Sequence, residues 1–249
     1  MGLIGALIVG FVPALLWLWV FWRKDRWERE PKRLVLRVFL FGAVMAGPIF
    51  VLERHLPLPP TIFAEFFVRV GFVEELFKIL PVLYLALRHA EFDEPMDGVV
   101  YGAAAALGFA GAENAVYAIH AGGATAIVRA FTSTVLHVGL TGMVGYAIGL
   151  ARFGRAYRGV IALSAFLAAV TIHGSYNFFL AVGTLPEAPD WIARFAVATM
   201  IPAMLVLLAY AIRRADKLSP HRRVVVPVLT EEAESGLLRE EERERQRCE

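Results

Sequence analysis

The charged residues of this chain crowd into a few short segments, yet eight side chains able to do chemistry lie inside apolar stretches. Glu74, Glu75 and Lys78 share one stretch, and Glu113 and Asn114 share a second. His137 lies in a third, with His173 and Asn177 in a fourth. Carboxylates and imidazoles are the usual groups of general acid–base catalysis and of metal ligation. A charge at mid-bilayer costs at least ~2.5–3.5 kcal/mol, so such residues are expensive to keep without a use. Lys78 follows Glu74 by four residues and Glu75 by three, so on a helix it can pair with either. His173 and Asn177 are one turn apart, as are Glu113 and Tyr117, with His120 continuing that stripe.

Three carboxylates and one lysine leave an excess of about two negative charges if all ionise, which a low dielectric does not tolerate. Either protons are held or a cation is bound. Glutamates holding protons would be tuned for acid–base work. Alternatively His137 and His173, with one or two of Glu74, Glu75 and Glu113, form a possible set for a divalent metal such as Zn²⁺. No His-Glu-x-x-His string accompanies them. Both chemistries activate water, which points to hydrolysis of a bond in or beside a membrane. Two other classes stay open: a proton- or ion-coupled transporter, which uses the same residue types, and a protein that only binds membrane segments. A nucleophilic enzyme has no support, because Ser133, Ser164 and Ser175 lack a base at useful spacing and no cysteine lies in a span. Taken singly, each residue also has a structural reading. Glu75 and Lys78 could fix helix register, His137 could bridge helices, and Asn114 and Asn177 could orient neighbours. Tyr117 and His120 suit an interfacial position.

The elements that must carry these residues follow from composition. The chain is 58% hydrophobic and 19% charged, with a mean hydropathy of +0.58, beyond the usual range of soluble domains. Apolar runs near 20 residues read as membrane spans. Seven are expected: 2–22, 34–52, 66–87, 98–120, 130–150, 159–182 and 191–212. The third could begin near Thr61, with Glu65 and Arg69 in a short amphipathic lead-in. The expected fold is therefore an all-α polytopic helical bundle over residues 1–217, followed by a charged, partly disordered tail at 218–249. Glycines at 98 and 102, and at 139, 142, 145 and 149, permit close helix packing.

Lys and Arg in the short loops set the orientation. One side holds Arg23 to Arg37, Arg88, Arg152 to Arg158 and Arg213 to Lys217, while the other holds only Arg54 and Arg129. The N-terminus is expected outside and the C-terminus in the cytoplasm of a bacterial or archaeal cell, with the protein in the plasma membrane. Depth can then be counted from the cytoplasmic loops. Glu74 and Glu75 lie 14 and 13 residues from Arg88, Glu113 lies 15 from Gly98, His137 14 from Ala151, and His173 14 from Gly159. At 1.5 Å per residue all stand roughly 20–22 Å up, which makes one polar site in the outer half the economical reading. The net charge of +2 gives nucleic acid no support as a partner, and the single Cys248 excludes internal disulfides. The expected partners are the lipid bilayer and single-span membrane proteins as substrates.

At these residues the chain resembles the PrsW family of intramembrane proteases. The resemblance rests on Glu74-Glu75-x-x-Lys78, Asp97-Gly98-Val99-Val100-Tyr101-Gly102, Phe109-x-x-x-Glu113-Asn114-x-x-Tyr117, His137 with its following glycines, and His173-x-x-x-Asn177. It covers about residues 70–180. The family is similar to the CAAX prenyl endopeptidases and other glutamic intramembrane proteases. The resemblance implies Glu74 as general base, Glu75 orienting it and pairing Lys78, and His173 and Asn177 stabilising the oxyanion. It also implies a membrane-anchored regulator, such as an anti-sigma factor, as substrate. Glu113 stands where the CAAX enzymes have a histidine, so His137 or a metal held among Glu74, Glu75, Glu113, His137 and His173 could replace part of that mechanism.

Overall fold

The computed structural model describes residues 1–57, 61–154, 157–189 and 191–222, and among these every regular element is helical. The helices are α1 (Leu3–Trp22), α2 (Lys32–His55), α3 (Ile62–Ala64), α4 (Val73–Pro81), α5 (Pro95–His120), α6 (Gly123–Phe131), α7 (Ser133–Phe153), α8 (Arg158–Val182) and α9 (Trp191–Leu218). Two π-helical segments, π1 (Glu65–Phe72) and π2 (Val82–Ala86), flank α4. The expected tail falls at 223–249 outside the described residues. Six helical stretches are long and apolar enough to cross a membrane: α1, α2, α5, α6 with α7, α8 and α9. Large apolar side chains on their outer faces stay exposed, among them Ile4, Leu16, Val44, Val160 and Val206. A soluble fold would not leave that belt uncovered. The chain is a multi-pass membrane protein.

The expected span at 66–87 is a composite of α3, π1, α4 and π2, helical from Ile62 to Ala86 but with no single α-helical piece of spanning length. Pro81 closes α4 because it cannot donate to the preceding turn, and π2 absorbs the misfit.

Helix α5 sits at the centre, packed against α7, α1 and α2. Its composition explains the position: small residues run along several faces, so neighbouring backbones approach closely. A Cβ added at Gly98 would overlap the Gly145 carbonyl oxygen, and one at Gly145 would overlap that of Gly98. Gly108 meets the Phe39 carbonyl in the same way on the α2 side. At the N-terminus of α5, Pro95 takes the first helical position, and Asp97 Oδ2 accepts from the Asp93 and Glu94 backbone N–H groups at 2.7 Å each. At its C-terminus Gly122, with φ +88°, makes the turn into α6, a conformation that penalises any side chain. The short α6 was not expected from hydropathy. It folds back against α5 and α1 before α7 begins.

Candidate active site

Four elements meet where α5 ends and α7 begins. Helix α4 contributes Glu74, Glu75 and Lys78, α5 contributes Glu113 and Asn114, α7 contributes His137 and Thr141, and α8 contributes His173 and Asn177. The three glutamates, Lys78 and both histidines are all buried. The flanking segment π1 packs on α8 at Gly71 and Gly174, where side chains would collide with backbone, so α4 is held close to His173.

Lys78 occupies the centre. Its Nζ lies 2.9 Å from Glu74 Oε2 and 3.0 Å from Glu75 Oε1, and it is hydrogen-bonded to His137 Nδ1 at 2.8 Å. It also stands over the Phe109 ring, 4.5 Å from the centroid. Glu75 is the most enclosed carboxylate: besides Lys78 it accepts from Thr141 Oγ1 at 3.1 Å and lies 2.9 Å from His173 Nδ1. Glu74 has fewer partners. Its Oε2 stands 3.7 Å from His173 Nε2 and accepts no aligned hydrogen bond. The His137 and His173 rings meet edge to face at 5.0 Å.

The second half of the site is organised by a residue that charge counting leaves in an outer loop. Arg129, on α6, reaches inward so that one Nη lies 2.7 Å from Glu113 Oε2, while its Nε donates to Asn114 Oδ1 at 3.0 Å. Its guanidinium stacks on Tyr117, 3.7 Å from the ring centroid. Asn114 donates in turn to Thr134 Oγ1 at 2.9 Å, so it orients neighbours. Glu113 Oε2 also pairs with His137 Nε2 at 3.1 Å, which joins the two halves. With Arg129 included, three carboxylates face two fixed cations, and the excess falls from about two negative charges to about one. His120, by contrast, turns to its own helix and bonds the Val116 carbonyl oxygen.

Two cavities meet at this cluster. A small one, about 10 Å³ of space for the centre of a water-sized sphere, is bounded by Glu113, Leu136, His137 and His173. That is room for one water. A large one of about 790 Å³ opens between α6, α8 and α9 along Tyr117, Val128, Leu180 and Val197. Arg129, Ser133, Tyr176 and Asn177 line both. Among the described residues the Asn177 side chain has no hydrogen-bond partner, and it is half-buried at the junction.

Glu74, His137 and His173 each offer a donor atom within 4.8 Å of the others. One carboxylate and two imidazoles suit a divalent metal in type and spacing. Glu74 Oε2 is paired with Lys78 and His173 Nδ1 with Glu75, but among the described residues Glu74 Oε1 and His173 Nε2 carry no hydrogen bond, so both residues have capacity to spare. His137 does not, because Lys78 and Glu113 occupy its two nitrogens, and its ligation would require Lys78 to withdraw.

Comparison with known proteins bears on these residues. A family model described as PrsW family intramembrane metalloprotease matches residues 30–208. The chain is 35% identical to Protease PrsW of Bacillus subtilis (strain 168) over 213 residues, covering 84% of this chain and 93% of that protein. It is 36% identical to Protease PrsW of Geobacillus kaustophilus over 174 residues, covering 69% and 77%. With Protease PrsW of Clostridioides difficile the identity is 28% over 235 residues, 88% and 93% of the two chains. No solved structure matches. A match across most of the chain, spanning all four site-bearing elements, decides the family: this chain belongs to the PrsW family of intramembrane proteases.

Proposed function

We propose that the protein is an endopeptidase that cleaves membrane-anchored, single-span substrates with water activated by Glu74. The observation that carries this reading is the convergence of Glu74, Glu75, Glu113, His137 and His173 around Lys78, next to a one-water cavity walled by Glu113, His137 and His173; Glu74 stands behind that wall, 3.7 Å from His173 Nε2, and the cavity meets a groove large enough for an extended peptide. The substrate segment enters the large groove between α6, α8 and α9. Glu74 takes a proton from the water, and the resulting hydroxide attacks the scissile carbonyl carbon. His173 and Asn177 donate to the oxygen that becomes negative. Collapse of the tetrahedral intermediate breaks the C–N bond, and the proton on Glu74 passes to the leaving amine. Glu75 is the positioning group for His173 and Lys78. Arg129 and His137 fix Glu113 at the cavity wall.

A divalent metal, when bound, would be held by Glu74, His137 and His173 and would polarise the carbonyl and acidify the water. The charge rule for the loops supports an outer-half site in the plasma membrane, and hence substrates cut near their extracytoplasmic side. An anti-sigma-factor-like regulator fits that geometry.

The test compares membrane-protein N-termini in cells expressing wild type or Glu74→Gln at equal levels. New extracytoplasmic termini beside single-span segments, present only with wild type, are expected. Identical profiles with folded, inserted protein of both kinds would overturn the reading.

A further inference from the structure

A second group of buried acids lies at the opposite end of α5, away from the site above. Asp25 and Glu30, from the segment between α1 and α2, meet Asp97 on the first turn of α5. Each offers a carboxylate oxygen, and these atoms lie within 4.8 Å of one another. The three residues are 0%, 4% and 1% exposed. Three acids buried together should be paired with Lys or Arg. Among the described residues none of the three forms an ion pair, although Arg23, Lys24, Arg26 and Arg29 lie in the same segment.

The existing hydrogen bonds use only part of the oxygen lone-pair capacity. Tyr101 Oη donates to Glu30 Oε2, the Glu30 backbone N–H reaches Asp25 Oδ2 at 3.3 Å, and Asp97 Oδ2 caps α5. Asp25 Oδ1 is buried with no hydrogen-bond partner. A buried oxygen without a partner calls for a bound water or ion, and inside a cluster of acids a cation satisfies it best. The segment is otherwise rigidly placed, since Trp22 Nε1 donates to the Glu30 carbonyl oxygen at 2.8 Å and Trp27 Nε1 to Asp216 Oδ1 of α9 at 2.8 Å.

We propose that Asp25, Glu30 and Asp97 form a structural site for a hard divalent cation of the Mg²⁺ or Ca²⁺ class, which ties the α1–α2 segment to the foot of α5. The donors are all oxygen, and hard cations take oxygen ligands. Such a site differs in kind from the carboxylate–imidazole group around Lys78. The Asp97…Tyr101 string, which the hydrolytic site does not use, thereby gains a role: Asp97 as ligand and cap, Tyr101 as the donor that orients Glu30.

The experiment uses full-length protein in nanodiscs, with Mn²⁺ as a spectroscopic probe and Mg²⁺ or Ca²⁺ as competitor. His173→Ala, which disables the carboxylate–imidazole group, should bind one Mn²⁺ that Mg²⁺ or Ca²⁺ displaces, and adding Asp25→Asn/Glu30→Gln should remove it. A cation at ~100 times its Kd should raise Tm by roughly 5–10 °C in wild type and not in the double variant. The proposal fails if Mn²⁺ binding by His173→Ala survives the addition of Asp25→Asn/Glu30→Gln, if His173→Ala abolishes all of it, or if wild type binds no cation.

Discussion

Arg129→Ala is the most informative single change, because it removes a charge on which half of the site depends. Arg129 is 14% exposed in its side chain and Glu113 10%, so the 2.7 Å pair is largely withdrawn from water. Removing one member of a buried pair costs ~3–5 kcal/mol, mostly from the charge left behind. Arg129 lines an open groove that lets water in, which places the cost near the lower bound, about 3 kcal/mol. Loss of the hydrogen bond to Asn114 and of the stack on Tyr117 acts in the same direction. If that cost is expressed at the site, Glu113 loses its charged partner and its place at the cavity wall, and kcat falls about 100-fold. Arg129→Lys keeps the charge but not the planar stack with a simultaneous bond to Asn114, so a fall of about tenfold is expected. The assay is cleavage of a single-span reporter in proteoliposomes under single-turnover conditions, with Tm measured in parallel. Activity of Arg129→Ala within twofold of wild type, at unchanged Tm, would refute the reasoning. Equal losses in the Ala and Lys variants would refute the part assigned to charge.

Three further outcomes can be checked with the same preparations. Thr141→Val deletes a buried donor to Glu75 and should cost ~1 kcal/mol, read as a roughly fivefold fall in kcat with KM little changed; a change confined to KM would contradict a positioning role. Gly145→Ala should lower Tm and activity together, by ~1–3 kcal/mol of overpacking at the α5–α7 crossing, whereas Gly159→Ala, which meets open space, should do neither. Burial pushes Asp25 up to about 7 and Glu30, with Asp97 beside it, up to about 10, both above their unfolded values near 4. The folded state therefore holds protons that the unfolded chain releases. In chelator this contribution is complete below about pH 4 and is lost as pH rises through 7 towards 10, so Tm should be lower at pH 9 than at pH 6. A rise over that interval would contradict the burial argument.

Much of the architecture was legible because the bilayer imposes it. Long apolar runs bounded by basic clusters locate α1, α2, α5, α7 and α8 to within a few residues, and α9 at its start, although that helix runs on past the apolar stretch to Leu218. The depth count puts Glu74, Glu113, His137 and His173 at one level, and in the structure their side chains share one cluster. Arg129 escaped this logic. A charge near a span end reads as an outer-loop charge, and only the back-folded α6 turns it inward. The faint signals were Gly122-Gly123 before a short apolar run and Arg129 within it. The π segments beside α4 were not legible, since an i→i+5 pattern leaves no mark in a 3.6-residue hydropathy period. Asp25 and Glu30 escaped for another reason: they sit among arginines in a polar segment, where a solvated charge block is the ordinary reading, and only tertiary packing onto Asp97 removes them from water.

The position of Lys78 allows the two water-activating chemistries to be separated by one substitution. With Lys78 and Arg129 the cluster carries one net negative charge, and Glu74, sharing Lys78 with the better-satisfied Glu75, is where that charge is least compensated. That suits the role proposed for Glu74 as proton acceptor. Lys78→Met removes the shared cation and leaves Glu74 and Glu75 side by side without it. The glutamate reading therefore expects activity to fall by more than 100-fold, with added Zn²⁺ or Mn²⁺ giving no recovery. For metal binding the sign is reversed. A lysine ammonium repels a divalent ion at ~4 Å by about 8 kcal/mol at an effective dielectric near 20, twice the value for unit charges. Its removal also frees His137 Nδ1 as a ligand. Lys78→Met should then bind metal far more tightly than wild type and recover activity when it is supplied. Cleavage by wild type in chelator, together with metal-insensitive loss in Lys78→Met, supports glutamate as the base. Metal-restored cleavage by Lys78→Met would overturn it, because the lysine would then be filling the place of the ion that does the chemistry.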